Sequence, residues 1–144
     1  MGRMTVAELE RIKTEHADRL AFKDKTYLLL CGGTGCHATG SLKVKDALLA
    51  ELEKKDLRST VDVVETGCNG FCAMGPIMVV HPGDIFYQKL KVEDMAEVVE
   101  SHLVKGKPVE RLLYKNPADK ARIPVQSDIP FFAHQMPRVL RNKG

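Results

Sequence analysis

The chain has 144 residues, of which 44% are hydrophobic and 28% are charged, proportions typical of a globular domain that builds its own core. Its longest apolar run, 27–31, is too short to span a bilayer, and no charged n-region followed by an apolar segment opens the chain. We therefore expect a cytoplasmic protein, in which closely spaced cysteines bind metal more often than they form disulfides.

The net charge of +3 is unevenly distributed. Residues 1–104 contain 13 Lys/Arg and 16 Asp/Glu, whereas residues 105–144 contain nine and three, together with five of the seven prolines. We predict an N-terminal helical region over 1–24, a domain over 25–106 and a basic arm over 107–144. Its composition predicts that the arm is either a disordered linker or an extended segment along a partner. It lacks the dense basic cluster with interleaved aromatics that is typical of nucleic-acid binding.

The N-terminal region contains a capping box, Thr5 with Glu8, which predicts an amphipathic helix over 6–21. Its apolar stripe must pack on the domain or on a partner and consists of Leu9, Ile12, His16 and Leu20. The continuous apolar run that follows predicts a buried central strand over 26–31, with Cys31 at its end.

Ser41 is suited to cap a second helix over 42–55. Its predicted inward face consists of Leu42, the stem of Lys45, Leu48, Leu49 and Leu52. β-Branched residues over 61–66 then predict the next strand.

The last part of the domain contains a predicted hairpin of strands 77–80 and 85–87, joined by the turn sequence His81-Pro82-Gly83-Asp84. A final helix is predicted over 93–104, before Gly106. Its inner stripe is predicted to be Met95, Val98, Val99 and His102.

These elements give the order β-α-β-β-β-α after an extra N-terminal helix. A parallel first crossover and a final hairpin predict an α/β fold with a mixed sheet of the thioredoxin-like kind, followed by an extended C-terminal arm. Both segments that contain cysteines then lie at strand ends, where the sheet can bring them together.

All four cysteines form two close pairs, Cys31 with Cys36 in C-x4-C spacing and Cys68 with Cys72 in C-x3-C spacing. Four thiolates suit either zinc or an iron–sulfur cluster. Structural zinc usually uses C-x2-C knuckles, which neither pair has. The flanking glycines allow backbone N–H groups to approach cluster sulfurs. The second segment also offers apolar cover that would limit solvent access to a cluster, from Phe71, Ala73 and Met74.

Two neighbouring features suggest other sites. The segment Gly33-Thr-Gly-Cys-His-Ala38 matches the dinucleotide-binding pattern G-x-G-x-x-A between a strand and a helix, but cysteines of the predicted metal site occupy it. His37 lies beside Cys36 and invites a Rieske-type assignment. Because four cysteines already complete a ligand set, we expect His37 to face solvent or to support the site. A dithiol enzyme would require C-x-x-C, which is absent.

The segments Cys31-Gly-Gly-Thr-Gly-Cys36 and Glu65-Thr-Gly-Cys-Asn-Gly-Phe-Cys-Ala-Met-Gly-Pro76 resemble the thioredoxin-like [2Fe–2S] ferredoxins over about residues 25–104. Such domains form a small subunit of bacterial complex I. They also form the N-terminal domain of the NADH-dehydrogenase-like flavin subunit of NAD(P)-reducing and electron-bifurcating hydrogenases and related formate dehydrogenases. The resemblance implies one [2Fe–2S] cluster, with Cys31 and Cys36 on one iron and Cys68 and Cys72 on the other.

The arm extends this resemblance, since residues 128–144 are similar to the lead-in to the flavin- and NADH-binding domain of those subunits. The resemblance implies an electron-transfer component without a catalytic site of its own, in a multi-subunit NAD(P)H-linked oxidoreductase. Its implied partners are a flavin- and NAD(P)H-binding subunit or domain and other iron–sulfur subunits, without nucleic acid or membrane insertion. The alternative function is a structural zinc-binding interaction domain without redox activity.

Overall fold

A four-stranded mixed sheet forms the centre of the molecule. The computed structural model describes residues 3–17, 21, 23–136 and 138–139. The strands are β1 (Thr26–Cys31), β2 (Val61–Thr66), β3 (Met78–His81) and β4 (Ile85–Tyr87), in the order β2-β1-β3-β4. β1 runs parallel to β2 and antiparallel to β3, and β3 and β4 form the predicted hairpin. The mixed sheet confirms the predicted fold class.

The N-terminal helix α1 (Val6–Glu15) begins at the predicted capping box, in which the Glu8 N–H donates to Thr5 Oγ1 and Glu8 Oε2 accepts from the Thr5 N–H. It ends before the predicted residue 21, and Leu20 lies outside the described residues. None of the α1 residues is buried. The Leu9 and Ile12 stripe does not pack on the domain, because both side chains are exposed, and of the two predicted alternatives packing on a partner stays a prediction.

Helix α3 (Ser41–Lys54) follows a five-residue helix α2 (Thr34–Ala38) that the sequence did not predict. The N-cap of α3 is Gly40 with φ +98°, and Ser41 is the first helical residue rather than the cap. The buried face is Ser41, Val44, Leu48 and Leu52. Leu42 is 49% exposed, contrary to prediction, because at about 100° per residue it lies about 120° around the helix from Leu48, outside the buried face.

The last helix of the domain, α4 (Asp94–Glu97), continues as a π-helix over Val98–Val104. Its predicted inner stripe is confirmed, since Met95, Val98 and Val99 are buried and His102 is half-buried. None of the helices in the described part of the chain has the length and apolar character needed to span a bilayer.

The sheet buries both of its faces, as the apolar run of β1 predicts. Leu28 and Leu30 face α3 and α4 in one core cluster. Tyr27, Leu29 and Cys31 point the opposite way, as alternate residues of a strand must, and lie in a second cluster. The first cysteine of the predicted site therefore belongs to the core on the face opposite the two main helices.

The arm covers that second face. It contains short elements over Glu110–Leu112, β5 (Tyr114–Lys115), β6 (Arg122–Ile123), Gln126–Asp128 and α5 (Pro130–Ala133). Tyr114 and Ile129 are buried in the second cluster. Carbonyl groups of the arm also accept from N–H groups at β4, with Phe86 N 2.7 Å from Pro124 O. The arm thus lies along its own domain, whereas its composition predicted disorder or a partner.

Candidate metal centre

The first cysteine pair is fixed by the sheet and by α2. Cys31 is the last residue of β1, and its N–H donates to Ile77 O at 3.1 Å, at the end of the pairing between β1 and β3. Cys36 lies in α2, which begins three residues after the end of β1. Both side chains are 1% exposed. The first pair therefore lies within the protein core.

The second pair lies in the loop over 67–75, directly after β2, which we call the second cysteine loop. Cys68 and Cys72 are both exposed, and their Sγ atoms are 3.8 Å apart. The Gly70 N–H donates to Cys68 Sγ at 3.3 Å. Gly70 has φ +78°, a conformation in which glycine carries no steric penalty. The loop therefore directs a backbone donor at a thiol, as the glycine pattern predicts.

Parallel pairing of β1 and β2 brings the two pairs together. Cys31 is opposite Thr66 in the register, and its Sγ lies 3.9 Å from Gly67 O. The loops then pack so closely that they leave no room for side chains. A Cβ placed on Gly33 would lie 2.9 Å from Cys68 Cβ, and one placed on Gly75 would lie 2.9 Å from Cys36 Sγ.

The four thiols form two pairs, and in each pair one thiol contributes to a raised pKa of the other. Burial, followed by a hydrogen bond with Cys31, raises the pKa of Cys36 to about 12. A hydrogen bond with Cys68 is the largest cause that raises the pKa of Cys72. In the described part of the chain, no group of three or more His, Cys, Asp and Glu side chains is arranged as a site for one metal ion. Thiols this close to one another can all lose their protons only when a positive charge lies beside them. Iron or zinc supplies that charge.

The profile of the thioredoxin-like [2Fe-2S] ferredoxin family matches residues 18–103. The chain belongs to this family. A 2Fe-2S ferredoxin from Clostridium pasteurianum is 40% identical over 77 residues, which cover 54% of this chain and 76% of that protein. A 2Fe-2S ferredoxin from Aquifex aeolicus is 40% identical over 79 residues, which cover 54% and 71%.

The fold agrees with that membership. The structure of a thioredoxin-like [2Fe-2S] ferredoxin from Aquifex aeolicus matches with a TM-score of 0.58 and 31% identity, over 69% of this chain and 99% of that one. The predicted family and fold are thus confirmed, and the predicted cofactor is that of the family. The donor set fits a [2Fe–2S] group, because it offers two thiol pairs, backbone donors and glycines where the loops meet.

One carboxylate of the ferredoxin domain, Glu65, links both cysteine segments and was not singled out from the sequence. It lies at the end of β2, where Oε1 is 3.1 Å from His37 Nε2 and Oε2 accepts from Lys45 Nζ at 2.8 Å. The hydrogen bond from Lys45, followed by that with His37, lowers the pKa of Glu65. The only signal in the sequence is an acidic residue near the end of a strand that also contains Asp62. His37 as a supporting residue stays a prediction.

Aromatic rings cover one side of the second cysteine loop. Phe71 stacks on Phe131 with ring centroids 4.5 Å apart and planes 9° apart, and it contacts Phe132 edge-on at 5.5 Å. Met74 is half-buried, whereas Ala73 is exposed and gives less cover than predicted. Phe131 and Phe132 lie on α5, outside the residues that match the ferredoxin family. The sequence signal for them was a pair of aromatics in a basic arm.

Proposed function

We propose that this protein transfers single electrons through a [2Fe–2S] cluster held by Cys31, Cys36, Cys68 and Cys72. The observation that carries the proposal is the meeting of two thiol pairs at one end of the sheet, in a chain of the thioredoxin-like [2Fe-2S] ferredoxin family. When bound, such a cluster supplies a one-electron couple.

The pairing of the thiols supports the ligand assignment. Cys31 and Cys36 lie in the same core cluster, and Cys68 and Cys72 approach each other to 3.8 Å. We assign the first pair to one iron and the second pair to the other. The buried pair keeps water from one side of the site, and the exposed pair lies where a redox partner can approach.

The chain's contribution is to bind, bury and position the cluster, without a catalytic site of its own. The Gly70 N–H donates to Cys68 Sγ and would stabilise a thiolate there. Glu65 holds His37 and Lys45 together beside the two cysteine segments. These contacts fix the two segments relative to each other, so that little rearrangement accompanies a change of charge.

Metal and sulfide analysis of anaerobically purified protein tests the proposal against the zinc alternative. We expect iron and acid-labile sulfide in equal amounts, a coloured protein and an EPR signal that appears on one-electron reduction. Colourless protein that contains zinc without sulfide would overturn the proposal and support a structural zinc domain.

A ligand variant and a neighbour variant test the ligand set. Cys68→Ser removes one proposed ligand, and we expect it to abolish or strongly perturb the EPR signal. His37→Ala changes the residue next to Cys36, and we expect a spectrum close to that of the wild type. Loss of the cluster in the histidine variant alone would contradict the assignment.

We further propose that the protein acts in the cytoplasm as part of a multi-subunit NAD(P)H-linked oxidoreductase of hydrogenase, formate dehydrogenase or complex I type. The resemblance of residues 128–144 to the lead-in of a flavin domain supports a flavin- and NAD(P)H-binding partner. Helix α1 offers a contact for that partner. An isolated helix of 10 residues is marginal in water, and α1 buries none of its residues in this chain.

Co-purification with the native complex tests this context. Leu9→Glu places a charge on the exposed apolar stripe of α1, and we expect it to weaken recovery of a flavin-containing partner. Ala7→Glu, which adds the same charge on the opposite face of the helix, is the matched control and should leave recovery closer to that of the wild type. Equal recovery with both variants would remove α1 from the interface.

A further inference from the structure

We infer that Phe131 is a positioning residue for the cluster. By stacking on Phe71, it holds the second cysteine loop in place and limits the access of water to the exposed thiol pair. This inference rests on the proposed function, and it concerns the arm, which lies outside residues 18–103 that match the ferredoxin family. The arm is then part of the redox site as well as part of the core.

Phe131 contacts the part of the second cysteine loop between its two cysteines. The Phe131 ring lies parallel to the ring of Phe71, which directly precedes Cys72. Its Cζ atom would also lie 3.7 Å from a Cβ on Gly70, the residue whose N–H donates to Cys68 Sγ. One side chain of the arm thus stacks on Phe71 and lies close to Gly70, the two residues that precede Cys72.

The arm holds Phe131 firmly enough to act on the loop. Ile129 is completely buried in the core cluster that also contains Cys31 and Cys36. The Phe132 N–H donates to Ile129 O at 2.8 Å, and the Phe132 ring packs against Phe86 with centroids 5.7 Å apart. Phe131 therefore extends from a buried anchor, although it is itself 38% exposed.

Phe131 covers the outward side of the second cysteine loop, whereas Phe86, Tyr114 and Phe132 contact Phe71 from the core. Both cysteines of the loop are exposed, and Phe71 is its one aromatic residue. Without Phe131, the outer face of the Phe71 ring and the nearby Gly70, whose N–H donates to Cys68 Sγ, would be more open to water. Solvent exposure and hydrogen bonds to sulfur both set the reduction potential of an iron–sulfur cluster.

The sign of the effect follows from charge. A cluster held by four thiolates carries net negative charge, which increases on reduction, and water stabilises the more highly charged state. Removal of the Phe131 ring should therefore move the reduction potential to a less negative value. It should also speed the loss of iron, since the loop opens more often.

The experiment compares Phe131→Ala, Phe131→Tyr and Val104→Ala in the full chain. Tyr keeps the stacked ring, and Val104 is an exposed apolar residue at the end of the π-helix that serves as the control. For Phe131→Ala we expect iron release to EDTA to be about two- to ten-fold faster, the factor that loss of one aromatic pair implies. We also expect a less negative potential in an EPR-monitored titration. For Phe131→Tyr and for Val104→Ala we expect the rate of iron release and the reduction potential of the wild type.

The outcomes separate this inference from the proposed function. Wild-type protein without iron and sulfide would overturn the proposed function itself. Loaded wild-type protein and a Phe131→Ala variant with the same release rate and potential would overturn only the inference. A variant with a lower melting temperature but an unchanged potential shows a merely structural role and also overturns it. If Phe131→Ala fails to fold, Phe131→Leu is judged by the same criteria.

Discussion

At the scale of single residues, the glycines are explained by the cysteines that lie against them. A Cβ on Gly33 would lie 3.1 Å from Cys68 Sγ, and one on Gly35 would lie 3.1 Å from Cys72 Sγ. The glycines of the first cysteine segment therefore make room for the thiols of the second. Gly67, in contrast, has open space around the position of a Cβ and a φ outside the left-handed region.

This contrast predicts different effects of two alanine substitutions. Gly33→Ala forces the Cys68 side chain away and should lower cluster content, with a loss of about 1–3 kcal/mol in the free energy of unfolding. Gly67→Ala is adjacent to the same cysteine and should retain normal iron and sulfide. Metal and sulfide analysis with chemical denaturation measures both effects. Normal cluster content in Gly33→Ala would show that the loops can separate without cost.

The thiols themselves should differ in reactivity in the reduced, metal-free chain. Cys36 is buried, and because its pKa is raised to about 12 it remains a protonated, unreactive thiol at pH 8. We expect iodoacetamide to label Cys68, which is exposed, well before Cys36, whose labelling should stay slow at pH 8. Peptide mass spectrometry measures the order. In denaturant all four cysteines should react alike, and fast labelling of Cys36 in the folded chain would contradict its burial.

At the scale of elements, α3 illustrates what a local pattern leaves undetermined. The sequence predicts Ser41 as the cap, yet Gly40 takes the N-cap position and Ser41 turns inward. Ser41 Oγ is buried and has no hydrogen-bond partner among the described residues. Buried hydroxyl groups without a partner cost free energy, so this side chain contributes less than its burial suggests.

Ser41→Ala should therefore leave the free energy of unfolding unchanged or raise it by up to about 1 kcal/mol. Ser101→Ala is the matched control, because Ser101 Oγ donates to Lys107 O at 2.7 Å and its loss should cost about 0.5–1.5 kcal/mol. Urea denaturation of both variants measures the difference. A larger destabilisation by Ser41→Ala than by Ser101→Ala would mean that the buried hydroxyl has a bonding role.

Elements with strong local signals were predictable, and those fixed by tertiary contacts were not. The capping box at Thr5 and the buried run of β1 depend on nearby residues alone, and both appear where predicted. Helix α2 has five residues, too few for a periodic pattern. The four cysteines were predicted as ligands from their spacing; the fold brings both pairs to one end of the sheet, and their role as ligands stays a prediction. Glu65 and Phe131 were missed because their partners are distant in sequence.

At the scale of the whole molecule, the arm was the largest difference from expectation. Its charge and prolines predict a separate segment, but a sheet that is apolar on both faces requires cover on each. α3 and α4, together with residues 109–113 of the arm, cover one face, and Tyr114 and Ile129 from the arm cover the other. The arm also protects the edge strand β4, since Gln88 N donates to Leu112 O at 3.0 Å. The requirement for cover on both faces of the sheet arises from the tertiary structure and cannot be inferred from local composition.

The arm should therefore be essential for folding. Deletion of 107–144 removes five buried apolar side chains: Val109, Leu112, Leu113, Tyr114 and Ile129. At about 1.5–3 kcal/mol for each, their loss is comparable to the entire stability of a typical domain. We expect the truncated chain to aggregate or to lack a cooperative thermal transition in circular dichroism. A chain that ends after Met136 is the control, since among the described residues it loses only the exposed Arg138 and Val139. A cooperative transition near the wild-type temperature in the chain without 107–144 would show that both core clusters are stable without the arm.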